Sequence, residues 1–215
     1  MAWTAPPTYT AGAILTAAQM NAISANLLAG GPVYTTEALR DAAITSPFEG
    51  QRAYITAPTV PTAAGATTYV PGGVQTVYNG SVWVCTTPVS AYQPATGTTT
   101  STTYSASLSG SPGTNPTVTL VTGTTALVSI RFFGAQAGAG HSAFMAISTA
   151  TVSGAEINGM QMYASTAGAA MGIGCTFVMS GLTAGTNTFT PVYKTTNPAQ
   201  VATVLLRGLT VQGIA

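Results

Sequence analysis

Ionisable side chains are nearly absent from this sequence: five Lys+Arg, four Asp+Glu and one His in 215 residues. The charged fraction is 4%, against roughly 25% in an ordinary soluble domain. A free protein with a net charge of +1 and so few surface charges is prone to self-association. A subunit of an assembly is not, because its partners cover it. The composition therefore points to an assembly component. The same scarcity excludes a nucleic-acid face, since neutralising phosphates takes clustered Lys and Arg, and no such cluster occurs. Cysteine is scarce too. Cys85 and Cys175 lie far apart, without CxxC spacing, and read as small buried hydrophobes. A chain of this length can bury a core without disulfide staples. Long apolar runs are missing although mean hydropathy is +0.37. The best candidate, 167–179, is broken by Gly168, Gly172, Gly174 and Thr176, and a span needs about 20 apolar residues. No membrane insertion is expected. The first residues show no basic and apolar leader pattern, so no secretory signal is expected either.

Three regions separate by pattern. In 1–31, Thr16 and Gln19 stand at capping-box positions, with Leu15 and Met20 placed as the hydrophobic staple. The helix this predicts carries a narrow apolar stripe of Met20, Ile23 and Leu27 and stops at Gly30-Gly31-Pro32. One helix cannot bury its own stripe, and the lead before it is extended and aromatic, with Trp3 and Tyr9. Trp3, Tyr9, Leu15, Met20, Ile23 and Leu27 are thus the candidate anchoring residues.

Residues 33–88 read as a small α+β module. It has a short Thr36-capped helix, a strand near 50–55, and a hairpin of 74–78 and 81–85 around Asn79-Gly80, the pair favoured in type I′ turns. Five of the nine charged residues, Glu37, Arg40, Asp41, Glu49 and Arg52, fall in this module. The i,i+3 and i,i+4 spacings from Glu37 predict a solvated helix face.

Residues 89–102, with Pro94 and a Thr/Ser run, read as a linker. Residues 103–215 show eight candidate strands: 104–108, 117–121, 126–133, 143–148, 160–164, 172–179, 186–194 and 201–211. The expected fold class is mainly β, with an N-terminal helical arm, the α+β module and its hairpin, and a C-terminal antiparallel β-sandwich or jelly roll. Pro191 is expected to push its strand to an edge. Tyr163, Phe177, Phe189 and Tyr193 are expected in the core, and Arg131 is expected on the outside.

Chemistry has little to work with. A glycosidase needs two carboxylates about one bond, and the all-β region holds Glu156 alone. A Ser-His-acid set built on His141 and Glu156 has no specificity among so many serines. His141 in its Gly-rich loop could ligate a metal at a threefold axis, but a turn histidine explains it better. No catalytic residue, metal or cofactor is expected. Tyr92 and Tyr104, flanking the polar linker, and His141 are the candidates for surface recognition.

Trp3-Thr4 followed by Gly12-Ala13-Ile14-Leu15-Thr16-Ala17-Ala18-Gln19-Met20-Asn21 resembles the N-terminal segment of tailed-bacteriophage virion proteins. The stretches 38–44 and 47–55, closing in Val77-Tyr78-Asn79-Gly80-Ser81-Val82-Trp83-Val84, are similar to a small module of phage fibre and minor tail proteins. The resemblance implies a virion structural protein, assembled in the bacterial cytoplasm. It further implies a homotrimer anchored to other virion proteins by its N-terminus, with a β-domain that meets a host-surface glycan or protein. A minor tail or fibre protein ranks first. A capsid decoration or head-fibre protein is the alternative, and a polysaccharide-degrading enzyme comes third.

Overall fold

In the computed structural model, Thr16 and residues 31–215 are described. The anchoring candidates Trp3, Tyr9, Leu15, Met20, Ile23 and Leu27, and the helix expected to carry most of them, lie outside the described residues. The remainder is mainly β, as the alternation of apolar and polar residues predicts.

The chain first builds a four-stranded sheet in the order β1 (Val33–Tyr34), β2 (Arg52–Ile55), β5 (Val74–Tyr78) and β6 (Trp83–Cys85). β1 runs parallel to β2 and the other pairs are antiparallel. Helix α1 (Glu37–Ala43) is capped by Thr36, whose Oγ1 accepts the Leu39 N–H at 3.3 Å. Its charges do not form the solvated face expected. Arg40 is buried, with its guanidinium 4.7 Å from the centre of the Trp83 ring and 2.8 Å from the Asp41 carboxylate. Glu37 reaches across to 59–60 and accepts the Thr59 and Val60 N–H groups at 3.0 and 3.2 Å. The spacing rule considers only the helix itself. Arg40 and Glu37 instead take partners outside the helix, while Asp41 stays exposed and pairs with Arg40.

The β5–β6 hairpin forms, but its reversal is not type I′. That turn needs positive φ at both central residues, and among the described residues Leu206 is the only non-glycine with positive φ. Gly80 alone takes the left-handed conformation here, at φ 89°. The Asn79 side-chain oxygen closes the turn by accepting the Ser81 and Val82 N–H groups at 3.1 and 3.0 Å.

Two larger sheets face each other beyond this module. One has the order β13 (Gly159–Ala164), β12 (His141–Ser148), β15 (Gly185–Thr195), β10 (Thr117–Thr122), β3 (Thr62–Ala64). The other, of seven strands, runs β14 (Ala170–Ser180), β11 (Thr125–Gln136), β16 (Ala202–Gly213), β7 (Val89–Gln93), β4 (Thr67–Tyr69), while β8 (Gly97–Thr99) pairs further along β16 and with β9 (Ser109–Gly110). Successive strands from β10 to β16 mostly cross between sheets, a jelly-roll arrangement. The inward positions of both sheets meet in a core that includes Leu120, Phe132, Met145, Met162, Phe189, Tyr193 and Val211. Each large side chain there contributes about 1.5–3 kcal/mol by leaving water.

Several expectations change at the seams. Residues 89–102 are not a linker: β7 alternates buried and half-buried positions and pairs with β16 from Val89 to Gln93. Residues 62–69 leave the small module to supply one edge strand to each large sheet, β3 and β4. Ile55, Val74 and Cys85 join the sandwich core, so the apolar interior is continuous from module to sandwich. Residues 104–108 form no strand, only a bridge from Ser105 to Tyr193.

Pro191 lies inside a sheet, not at an edge, with β12 on one side and the end of the β10 ladder on the other. Pairing with β10 stops at Phe189, and the Asn115 side chain donates to the Pro191 carbonyl at 2.9 Å. Tyr193 and Thr195, of the same parity, direct their N–H groups to Ser105 and Ser101 on that side. The missing proline donor therefore falls where no ladder needs it. Phe189 and Tyr193 are buried as expected and Phe177 is half-buried, but Tyr163 on edge strand β13 is 57% exposed.

Candidate functional site

The outer face of the five strands β4–β7–β16–β11–β14 is a broad, regular surface of the sandwich. With strands about 4.8 Å apart it is roughly 19 Å across. Register places Tyr69, Ser90, Thr210, Ser129 and Thr176 in one row, and Thr67, Tyr92, Gly208, Arg131 and Gly174 in the next. Arg131 is the one formal charge in these rows. Hydroxyls pair with one another across strands, Ser90 with Thr210 at 2.8 Å and Ser129 with Thr176 at 2.7 Å. Polarity is thus satisfied locally without charge.

Two depressions of about 390 and 350 Å³ open on this face and share Tyr92 and Arg131. The Arg131 guanidinium stacks 5.1 Å from the centre of the Tyr92 ring and forms the wall between them. Gly208 is the floor. A Cβ there would meet the Tyr92 ring and the Ala91 carbonyl at 3.3 Å and Arg131 Nε at 3.2 Å, so a side chain would force the stack apart. On the far side, Leu206 takes a left-handed φ of 50° at a bulge where β16 shifts register against β11. The extra residue turns the Leu206 side chain outward and its neighbour Arg207 inward. The trough offers aromatic stacking, hydroxyls and one cation. Its lining holds no carboxylate or imidazole, so the trough itself offers no general acid–base pair.

A second site lies on the opposite face of the sandwich. Lys194 on β15, the only lysine in the sequence, stands in register with Phe144 on β12. Tyr104 covers both from the 101–105 segment, its ring edge-on to Phe144 at 6.5 Å between centroids. The ammonium lies 4.7 Å from the centre of each ring and is paired with the Glu156 carboxylate on a 3-10 turn (Glu156–Asn158). The Lys194 hydrogen bond, chiefly, holds the Glu156 carboxyl below its usual range. Burial, and secondarily the Glu156 charge, push the Tyr104 phenol well above its ordinary value, and its hydroxyl has no hydrogen-bond partner. A cavity of about 510 Å³ adjoins the ammonium.

The recognition candidates do not converge. Tyr92 lines the trough and Tyr104 roofs the lysine on the other face. His141 begins β12 beside Asn197, whose Nδ2 lies 3.2 Å from its Nε2. No group of His, Cys, Asp and Glu able to hold a metal occurs among the described residues. Cys85 is buried and Cys175 half-buried, and burial raises both thiols. No helix among the described residues is long and apolar enough to cross a membrane. Sequence reasoning passed over Tyr69 and Lys194. Lys194 was visible as an isolated cation beside Tyr193, but its aromatic partners, Phe144 on a strand and Tyr104 on an irregular segment, lie 50 and 90 residues away in sequence.

No family model matches the sequence, and no curated protein matches it significantly. Among solved structures the chain is similar, at 16% identity and a TM-score of 0.26, to the isomalto-dextranase of Arthrobacter globiformis T6 in complex with panose. That likeness covers 58% of this chain and 22% of the other, and at so low a TM-score it carries no argument.

Proposed function

We propose that this protein is a non-enzymatic structural component of a bacteriophage virion. It assembles as a homotrimer, docks through residues 1–31, and displays a jelly roll that meets a host-surface glycan or protein. The observation that carries this reading is the outer face of the seven-stranded sheet, which presents the rings of Tyr69 and Tyr92, paired hydroxyls and the single charge of Arg131 in its two central rows. A face that stays in water is usually studded with charge; one that packs against protein is not. The N-terminal and hairpin motifs favour a virion, and a minor tail or fibre protein is the first reading. Residues 62–69 fold back onto the sandwich and leave no shaft in 31–215, which favours capsid decoration as the second.

Deleting residues 1–31 tests the anchor: the truncated protein should fold yet fail to join particles, and incorporation at wild-type levels would refute it. Ile23→Asp should likewise weaken incorporation without lowering the melting temperature of the sandwich. Immunogold labelling of the sandwich, viewed on particles by electron microscopy, separates tail from head. An activity on polysaccharide abolished by Glu156→Gln or His141→Ala would overturn the non-enzymatic reading.

A further inference from the structure

The cavity beside Lys194 has features that assembly does not require. Its walls carry the hydroxyl-bearing residues Thr102, Thr103, Ser148 and Ser153, Val192 gives it an apolar patch, and Lys194 stands at one side. Gly154 brings the backbone close; a Cβ there would lie 2.3 Å from Val192 Cγ2. The lysine is unusually fixed for its type. Its side chain is only 19% exposed, and the two ring faces and the carboxylate hold the ammonium in place. Most of the entropy a lysine normally loses on binding is therefore already lost. Its carboxylate partner is the exposed half of the pair: the Glu156 side chain is 62% exposed, on a turn of three residues. Returning Glu156 to water costs it little desolvation, provided that an incoming carboxylate takes its place on the ammonium.

A ligand matching these walls brings one carboxylate for the ammonium, hydroxyls for the rim and a small apolar face for Val192. Polyanions fit poorly, since they need several cations and this cavity has one. A neutral sugar leaves the Lys194–Glu156 pair unchanged and gains no charged contact. We propose that this cavity binds a carboxylate-bearing saccharide, a uronic acid residue, with Lys194 receiving its carboxylate and Glu156 as the group displaced. The inference names a ligand class for the host-surface contact proposed above and rests on that reading. Its test uses purified protein alone, so it fails or succeeds separately from incorporation into particles.

The full chain is titrated by NMR with sodium D-glucuronate, D-glucose and sodium acetate at matched ionic strength. Glucuronate should give saturable shifts at 102–104, 153–156 and 194, in the millimolar range expected of one sugar, about −4 kcal/mol at 1 mM. Glucose and acetate should not saturate. Lys194→Met should weaken glucuronate about tenfold or more. Glu156→Gln, on an exposed turn where folding is not at risk, should tighten it several-fold by removing the competitor. Absence of saturation with glucuronate, equal response to glucose or acetate, or weaker binding in Glu156→Gln would each overturn the proposal.

Discussion

Among the described residues Arg207 is the largest fully buried side chain, and no carboxylate there pairs with it. Its guanidinium donates to the carbonyls of Ala95 at 2.8 Å and of Pro112, tying the 94–96 and 110–113 turns to β16, while its Nε finds no partner. Burial pulls its pKa down, and the neighbouring Tyr193 opposes that. Two effects compete in Arg207→Met. Losing the donor strands carbonyls at about 1–3 kcal/mol each, whereas removing a buried charge relieves desolvation. With two turns depending on the donor, the first should win, and urea unfolding should show a loss of about 2 kcal/mol. An unchanged or raised midpoint would mean that desolvation dominates.

Glu37 gives a pH signature at the same scale. Partial burial acts to raise its pKa, but N–H groups of Glu37, Val60 and Thr59 and the Thr59 hydroxyl outweigh it, and the carboxyl is held below its ordinary 4.5. A depressed acid stabilises the fold above its unfolded value and loses that contribution as pH falls through the folded one. Protection of the Thr59 and Val60 amides from hydrogen exchange should hold at neutral pH and be lost only as pH falls below 4.5, through the depressed value of the folded carboxyl. Glu37→Ala should abolish that pH dependence.

At the level of elements, the strands legible in the sequence were those whose apolar residues alternate between clear breakers. β10 to β16 all lie near their expected places, and so does the hairpin of β5 and β6. What stayed hidden was set by partners distant in sequence. β7 carries the alternation of Val89, Ala91 and Gln93, but Pro88 and Pro94 framed it like a linker; only its pairing with β16, more than 100 residues on, makes it a strand. β3 and β4 are three residues each, too short for any periodicity, and exist because the two large sheets have open edges there. The Asn79-Gly80 pair correctly marked a reversal, while the turn geometry was decided by the Asn79 side chain. Asn79→Ala should therefore cost about 1–2 kcal/mol in thermal or urea unfolding, by leaving the Ser81 and Val82 N–H groups without their acceptor. Asn79→Asp, which keeps the acceptor, should cost less. The candidate sites follow the same rule. Tyr92 and Tyr104 were visible as aromatics in polar surroundings, but register alone brings Arg131 and Gly208 to Tyr92, and the folding of the 101–105 segment over the Phe144–Lys194 pair gives Tyr104 its partners.

Over the whole molecule most of the few charges are spent on local structure, with Glu49 and Arg52 left exposed on the small module. Arg40 pairs with Asp41 against Trp83, Glu37 holds 59–60, Lys194 holds Glu156, and Arg207 pins two turns. Arg131 alone stands on the broad face of the seven-stranded sheet, leaning on Tyr92. That leaves wide uncharged surfaces: the trough face, and the long edge strand β14, whose eleven residues carry no charge and expose Met171 and Val178. Uncharged edges of this length invite pairing and are ordinarily blunted by Lys or Pro. Among the described residues nothing extends these sheets further; in the proposed assembly, copies of the chain would cover them. The mass of the purified protein in solution, by light scattering at micromolar concentration, tests this most directly. The account predicts about three times the 21.5 kDa of the chain, unchanged on moderate dilution. A stable monomer of 21.5 kDa would contradict it.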